Sequence, residues 1–463
     1  MIDRLVGGDR PGLDRLRRRI RGTVLDGNDP RVPGVLAAFN PTVAHRPDVV
    51  VQASNAADVL IALDWARDHD VPWLVHGTGH AEIDSVRGGL VVTTAGLGSV
   101  TVDPATRIAR VGAGARWRAV MDAADPHGLA PVCGSAPDVG VVGLLLGGGF
   151  GPLARSLGAC SDRVRAVHLV LPGGGPLTVD ADHRPDLFGA LLGGRPDIGV
   201  VTGVDLALVA QEPLRAGGLY FAAADIPAVV DGYQRWLQGD VPSDLTTSLA
   251  VLRLPDLPTL PPVLAGRTVA HLRVAATGAT VGDEEVPAAL RRMARPVLGG
   301  VGPLPWARIG EIHNDPITPR VHVGGGLLLD AFTADTAHAL VEVAGPQVPT
   351  PLTLVEIRHL GGALVDAPDD RADCVPGRDA AFGLWVSSHP FPLDPVGPGS
   401  PRAAASGAVR GVLDALSPWS PPAATINFTG SANTRHEVLA GWSPTARRHL
   451  KAVGAASGGR WRE

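Results

Sequence analysis

A short apolar run, Trp73-Leu74-Val75, leads directly into His76-Gly77-Thr78-Gly79-His80, a loop whose residue types suit the binding of an anionic group. Glycines that follow a strand let backbone N–H groups approach a phosphate closely, which is how a pyrophosphate is commonly cradled. Two other readings fit less well. A dinucleotide fingerprint needs G-x-G-x-x-G opening a helix, and Glu82 stands where the third glycine should be. His76 and His80 have the four-residue spacing of a helical zinc pair. Gly77 and Gly79 between them each disfavour a helix by about 1 kcal/mol, however, and no HExxH pattern accompanies them. No metal site is expected.

The second chemical segment runs from Pro137 to Gly151, with glycines at 140, 143, 147, 148, 149 and 151. Glycine loses about 0.5–1 kcal/mol relative to alanine in regular structure, so this density calls for a reason. It reads either as a tight loop packed against a sheet or as a backbone wall against a flat cofactor that side chains would obstruct. A third segment, Leu354 to His359, reads as a strand and puts Glu356 and Arg358 on one face. Glu356 is the candidate catalytic base, with an ion pair to Arg358 as the structural alternative. His359 is the next catalytic candidate, followed by His322 and His436.

The elements that must position these groups follow from apolar periodicity. Residues 10–25 have a helical pattern, Val49 to Gln52 a strand pattern, and Ala56 to His69 a helix capped by Asn55. Strands are expected near Leu90–Thr93, Ile108–Val111, Val164–Leu171 and Leu177–Val179, with a strand pair over Ile198–Leu208. A helix is expected near Trp117–Ala124. Beyond Pro213 helices such as Ile226–Leu237 alternate with strands such as Gly324–Leu329 and Leu352–Ile357. A last strand, Ala424–Phe428, precedes an amphipathic helix, and no internal repeat is seen.

Composition narrows the class. A chain of 463 residues exceeds one simple core, and its 45% apolar content is that of a globular protein. A net charge of −5 offers no field for nucleic acid or an anionic membrane. Lys451 is the only lysine, and the arginine preference reads as the codon usage of a GC-rich bacterial genome. Cys133, Cys160 and Cys374 show no CxxC spacing, against a disulfide framework or structural zinc. With neither a signal-peptide pattern at the start nor an apolar run of about 18 residues, a soluble cytoplasmic protein is expected.

In these segments the chain resembles the berberine bridge enzyme-like branch of the vanillyl-alcohol oxidase and p-cresol methylhydroxylase (PCMH) flavoproteins. The branch's R-x-G-G-H motif corresponds to His76–His80, and its V-G-x-G-G-x-x-x-G-G-G-x-G element to Val139–Gly151. Arg155, Gly158 and Asp162 match R-x-x-G-x-x-x-D; Pro185-Asp186-Leu187-Phe188 with Gly193-Gly194, and Ile198 to Thr202, match further motifs. The likeness continues through His359-Leu360-Gly361-Gly362-Ala363 and Arg378 to Phe382, and reaches Asn427-Phe428.

The resemblance implies an α+β, two-domain, PCMH-type FAD-binding fold with an antiparallel-sheet substrate domain covered by helices. Residues 1–213 would bind FAD, residues 214–415 the substrate, and residues 416–463 would return to the FAD domain in shortened form. It implies FAD contacts from His76, Gly77, Thr78, Gly79, His80, Pro137, Asp138, Gly140, Gly143, Gly147, Gly148, Gly149, Gly151, Gly199, Val200 and Asn427. The flavin 8α-methyl would be joined to His80. The second, cysteinyl link of many relatives is not expected, because Ala136 stands at that position and Cys133 lies three residues too early. Asp162 is expected to be a turn residue.

The implied activity is an FAD-dependent oxidase or dehydrogenase on a hydroxylated or polycyclic small molecule, with O2 as an implied acceptor and secondary metabolism as the setting. Departures bear on this. His76 replaces an arginine, and Thr425-Ile426-Asn427 replaces Y-x-N, removing a tyrosine. These departures leave two alternatives: a flavin-dependent non-redox cyclase or isomerase, and a noncatalytic flavin-binding homologue.

Overall fold

The structure, a computed structural model, describes residues 10–81, 85–194, 198–278, 285–389, 400–421 and 423–456. Near the N-terminus a four-stranded sheet has the spatial order Thr23–Asp26, Val49–Gln52, Leu90–Thr93, Trp73–His76. The last three strands are parallel and the first is antiparallel to its neighbour. Trp73–His76 therefore lies at an edge, and its C-terminal end releases the Gly77–His80 loop.

The helix Ala56–Asp68 covers this sheet, and Asn55 caps it by accepting from the Asp58 N–H at 2.9 Å. Its Val59, Ala62, Leu63 and Ala66 are buried against Val51 and Val92, and against Val170 and Val200 of the next sheet. The helical pattern over residues 10–25 does not run its length: the helix Arg10–Arg19 stops and the strand Thr23–Asp26 begins. The buried Asp58 carboxylate takes the N–H groups of Arg21 and Gly22 at 2.8 and 3.0 Å, which fixes a bend there.

A five-stranded antiparallel sheet follows, ordered Val100–Asp103, Ile108–Gly112, Val200–Ala207, Val164–Leu171, Gly175–Asp180. The strand pair expected over Ile198–Leu208 is instead one strand, Val200–Ala207, paired on both sides.

The largest sheet has seven antiparallel strands: Leu298–Pro303, Arg215–Ala222, Thr268–Ala276, Leu245–Arg253, Leu352–His359, Phe382–Ser388, Val323–Leu329. Strand side chains alternate between faces. Leu219, Leu249, Leu272, Ile357 and Leu384 are buried with apolar residues of the helices Ile226–Leu237, Ala334–Ala344 and Pro401–Leu416. Intervening residues point toward the glycine-rich half, and Arg155 Nε donates to Leu245 O at 2.8 Å across that junction.

The chain end returns to the first half. Trp442 Nε1 donates to Gly193 O and Cys374 O at 3.0 and 2.9 Å, and Leu450 packs on Gly194. The strand expected at Ala424–Phe428 is a single 3-10 turn, Ile426–Phe428. The Phe428 N–H donates to Thr425 O at 2.9 Å, closing the turn, and Asn427 is directed into the glycine segment. Among the described residues no helix is long and apolar enough to cross a membrane, and no group of three or more His, Cys, Asp or Glu is placed to hold a metal ion.

Candidate active site

The loop after Trp73–His76 is set by close packing at one glycine and open space at another. Gly79 has φ +69°, and a methyl group there would lie 2.6 Å from Ala37 O. A methyl group on Gly77 would meet no protein atom within 4 Å. Among the described residues, the N–H groups of Gly77, Thr78, Gly79 and His80 have no protein acceptor. Four such donors in succession form a concavity that an anion satisfies. His76 is buried and faces the His45 ring at 5.7 Å, so it supports the loop from behind.

Thr78 joins this loop to the glycine segment: a methyl group on Gly140 would come 2.6 Å from Thr78 Oγ1. Pro137 O accepts from the Arg118 N–H at 2.8 Å, and Asp138 O accepts from the Arg116 guanidinium. Residues 137–140 are thereby tied to the start of the helix Trp117–Ala124. Gly143 is exposed and faces empty space, as Gly77 does.

The remaining glycines pack closely, as in the tight-loop reading that the sequence offers beside the cofactor wall. Methyl groups at Gly147, Gly148, Gly149 and Gly151 would lie 2.5 Å from Asn427 Nδ2, 2.7 Å from Val375 Cγ1, 2.9 Å from Cys160 Cβ and 1.9 Å from Cys133 O. Packing of chain on chain demands glycine at all four. Asn427 accepts from the Gly149 N–H at 2.9 Å and donates to Leu144 O at 3.3 Å, so its side-chain amide holds the segment. Gly199 packs on Val170 O in the same way, and the Val200 side chain lies in the core. The empty space beside Gly77 and Gly143, with the unpaired N–H run between the two loops, fits a cofactor carrying a diphosphate.

His80 stands at the end of that run, its ring 4.8 Å from Phe39. Burial, aided by His322 and opposed by Asp315, pushes its pKa down to about 4. The imidazole is therefore neutral at physiological pH, the form with a nucleophilic nitrogen.

A cavity of about 350 Å³, counting its open mouth, lies between Phe150–Ala154 and the seven-stranded sheet. One row of the sheet lies in its floor through Arg273, Ser248 and Arg358, and a second row adjoins it. The first row pairs Gly218, Arg273, Ser248, Arg358 and Gly383 across five strands; the next pairs Tyr220, His271, Ala250, Glu356 and Trp385. In the first row large cations thus alternate with small residues. A methyl group at Gly218 would lie 2.1 Å from His271 Nε2, so glycine there admits the imidazole.

Glu356 is buried, with Oε1 2.5 Å from Arg273 Nη1 and Oε2 3.1 Å from Arg358 Nη2. Burial pushes its pKa up, but the Arg358 and Arg273 guanidiniums prevail and hold it well below the usual carboxylate range. The ion pair with Arg358 that the strand pattern offered as the alternative is present. A carboxylate so stabilised is a weak base, so in this arrangement Glu356 anchors an ion cluster. His359 Nε2 lies 3.2 Å from Arg155 Nη1, and burial together with Arg155 pushes its pKa down to about 3. His322 packs near Phe39, while Asp162 pairs with Arg378 at 2.5 Å and accepts from the Ala159 N–H, a turn role as expected.

Residues 47–180 match the family described as FAD binding domain. This part of the chain is similar to an FAD binding domain. Its most similar curated relatives include an FAD-dependent monooxygenase of Fusarium proliferatum, 41% identical over 177 residues, 38% of this chain and 34% of that one. The chain spans from about a third to about half of the length of the curated relatives it matches. Among solved structures, a berberine bridge enzyme-like protein of Physcomitrella patens superposes with TM-score 0.78 at 18% identity over 95% of both chains. A glucooligosaccharide oxidase of Acremonium strictum, which carries a 6-S-cysteinyl, 8α-N1-histidyl FAD, gives 0.81 at 17% identity over 96% of both. The fold is therefore that of the berberine bridge enzyme-like, PCMH-type FAD proteins.

Sequence reasoning missed Arg273, His271, His313 and Ser248 in the floor. A signal was present: His271 and Arg273 stand two apart in Thr268–Ala276, where Val269, Ala270, Leu272, Val274 and Ala275 are all buried. Charged residues at alternate positions of an apolar strand mark a buried polar face.

Proposed function

We propose that this protein is an FAD-dependent oxidoreductase acting on a hydroxylated or polycyclic small molecule, with its flavin joined through His80. The reading is carried by the unpaired N–H run of Gly77–His80, inside the FAD binding domain and leading to a neutral imidazole. When bound, FAD supplies the acceptor for electrons leaving the substrate, and O2 is the proposed final acceptor.

The chain's own residues do the rest. The N–H groups of Gly77–His80 bind the diphosphate, and Asn427 holds the glycine segment in place. Phe150–Ala154 closes one side of the cavity against water, and Arg273 and Arg358 orient the substrate. Residues 1–213 and 416–463 form the cofactor part, and residues 214–415 shape the pocket. A single histidyl link is supported by Ala136, which has no thiol, and by Cys133, buried with its pKa pushed up to about 12. A role in secondary metabolism and a cytoplasmic location are part of this proposal.

One observation favours a second reading, a non-redox cyclisation that uses flavin as scaffold. Thr425 stands where a tyrosine is usual, Glu356 is ion-paired, and His359 is weakly basic, so no strong base faces the cavity among the described residues.

Acid precipitation tests the link: the washed pellet stays yellow for the parent protein and loses its colour for His80→Ala. A yellow His80→Ala pellet would place the bond elsewhere. Anaerobic mixing with a turned-over substrate tests the chemistry. Bleaching of the flavin band supports oxidation, and turnover without bleaching supports the cyclase.

A further inference from the structure

We propose that the sheet floor of the cavity is a carboxylate-recognition site, so that the substrate carries a carboxyl group. This inference rests on the oxidoreductase reading for the identity of the cavity as a substrate pocket.

The argument begins with charge. Two buried or nearly buried guanidiniums, of Arg273 and Arg358, line the cavity, and Glu356 is the one carboxylate they meet among the described residues. His271 and His313 beside them are held neutral by burial. One cation therefore stands in excess in a buried wall, an arrangement that a bound anion would balance.

Unused hydrogen-bonding capacity points to the same ligand. Ser248 Oγ, His313 Nδ1 and Arg358 Nε are buried, line the cavity and have no partner. Such orphans are uncommon in native proteins and call for a ligand or water.

The sheet register supplies the shape. Ser248 stands directly between Arg273 and Arg358 on neighbouring strands. Neighbouring strands are about 4.8 Å apart, so a short hydroxyl between two long side chains leaves a notch flanked by guanidiniums. Planar guanidinium forks match the two oxygens of a carboxylate, and from the adjoining row Glu356 already meets one of these guanidiniums with each oxygen.

The probe is benzoate, with benzamide as its uncharged counterpart, titrated into holoprotein and followed by the flavin absorbance band and by calorimetry. Benzoate is expected to bind about 10- to 100-fold more tightly than benzamide, the range of one or two charge-assisted hydrogen bonds. Arg358→Met should remove that preference. If that variant fails to fold, Ser248→Leu fills the notch without removing a charge, and should abolish benzoate binding while flavin is retained.

Equal binding of the two probes, or binding of neither, by yellow holoprotein overturns the carboxylate site and leaves the oxidoreductase reading intact. Benzoate that binds only the apoprotein and is displaced by FAD also overturns it, since the cations would then serve the cofactor. Benzoate binding that is lost in Ser248→Leu, in a protein that takes up no flavin, would sink the oxidoreductase reading and keep the carboxylate site.

Discussion

The Gly149 N–H donates to Asn427 Oδ1 at 2.9 Å, joining residues 278 positions apart. The same amide donates to Leu144 O at 3.3 Å and lies where a side chain at Gly147 would have to go. The end of the chain thus pins the segment whose other end, at Gly140, holds the Thr78 loop. The glycine segment in the first half is consequently held by a residue that follows all seven strands of the largest sheet.

Asn427→Ala removes both bonds and leaves a buried N–H without a partner, a cost of about 1–3 kcal/mol. Flavin affinity is expected to fall about 10-fold, measured by titrating FAD into apoprotein and following its fluorescence. Asn427→Asp keeps the acceptor for Gly149 and loses the donor to Leu144, so it should fall between the two. An Ala variant that binds FAD as the parent does would show that the clamp plays no part.

Two glycines separate packing from binding. A methyl group at Gly151 would lie 1.9 Å from Cys133 O, so Gly151→Ala should destabilise the fold by about 1–3 kcal/mol and lower Tm. Gly77→Ala meets no protein atom within 4 Å and should leave stability within about 0.5 kcal/mol while reducing bound flavin. Thermal melts and flavin-to-protein ratios of the two purified variants check this, and the reverse pattern would contradict it.

These contrasts explain what could be read from the sequence. The Gly77–His80 loop was legible because strand, glycines and histidine are contiguous and their chemistry is local. Gly147, Gly148, Gly149 and Gly151 were legible as special, but their cause was not. Residues that crowd them, such as Val375 and Asn427, are hundreds of positions away, and only the tertiary fold brings them together. The same holds for Glu356. Its partner Arg358, two residues on, could be proposed from strand alternation, whereas Arg273, 83 positions away, depends on which strands are neighbours in the sheet.

Glu356 also makes a stability prediction. Glu356→Leu leaves Arg273 and Arg358 buried without a counter-ion, and should cost about 3–5 kcal/mol at pH 7 in urea denaturation. The folded carboxyl is held well below its unfolded pKa of about 4.3. Its contribution is therefore fully present above about pH 4.3 and is lost as pH falls through the folded value. The gap between parent and variant should narrow in acid. A gap that stays constant down to the acid limit would mean that Glu356 is protonated in the folded protein.

Three half-buried imidazoles, like Glu356, are deprotonated in the folded protein and give the same direction with pH. Burial is the leading cause that pushes the pKa values of His80 and His389 down to about 4 and that of His359 to about 3. In the unfolded chain each takes up a proton near pH 6.5, while the folded protein keeps it neutral. Between those values the unfolded state binds more protons, so stability falls as pH drops from about 6.5 toward 4. The limiting slope is about 1.4 kcal/mol per pH unit for each histidine, less where solvent reaches the ring. Tm is expected to be level above pH 7 and to drop steadily between pH 6.5 and pH 4, with a shallower drop for His359→Asn and His389→Asn. A parent protein that melts as high at pH 5 as at pH 7.5 would show that these rings are not held neutral, and would remove the basis for treating His80 as a neutral nucleophile.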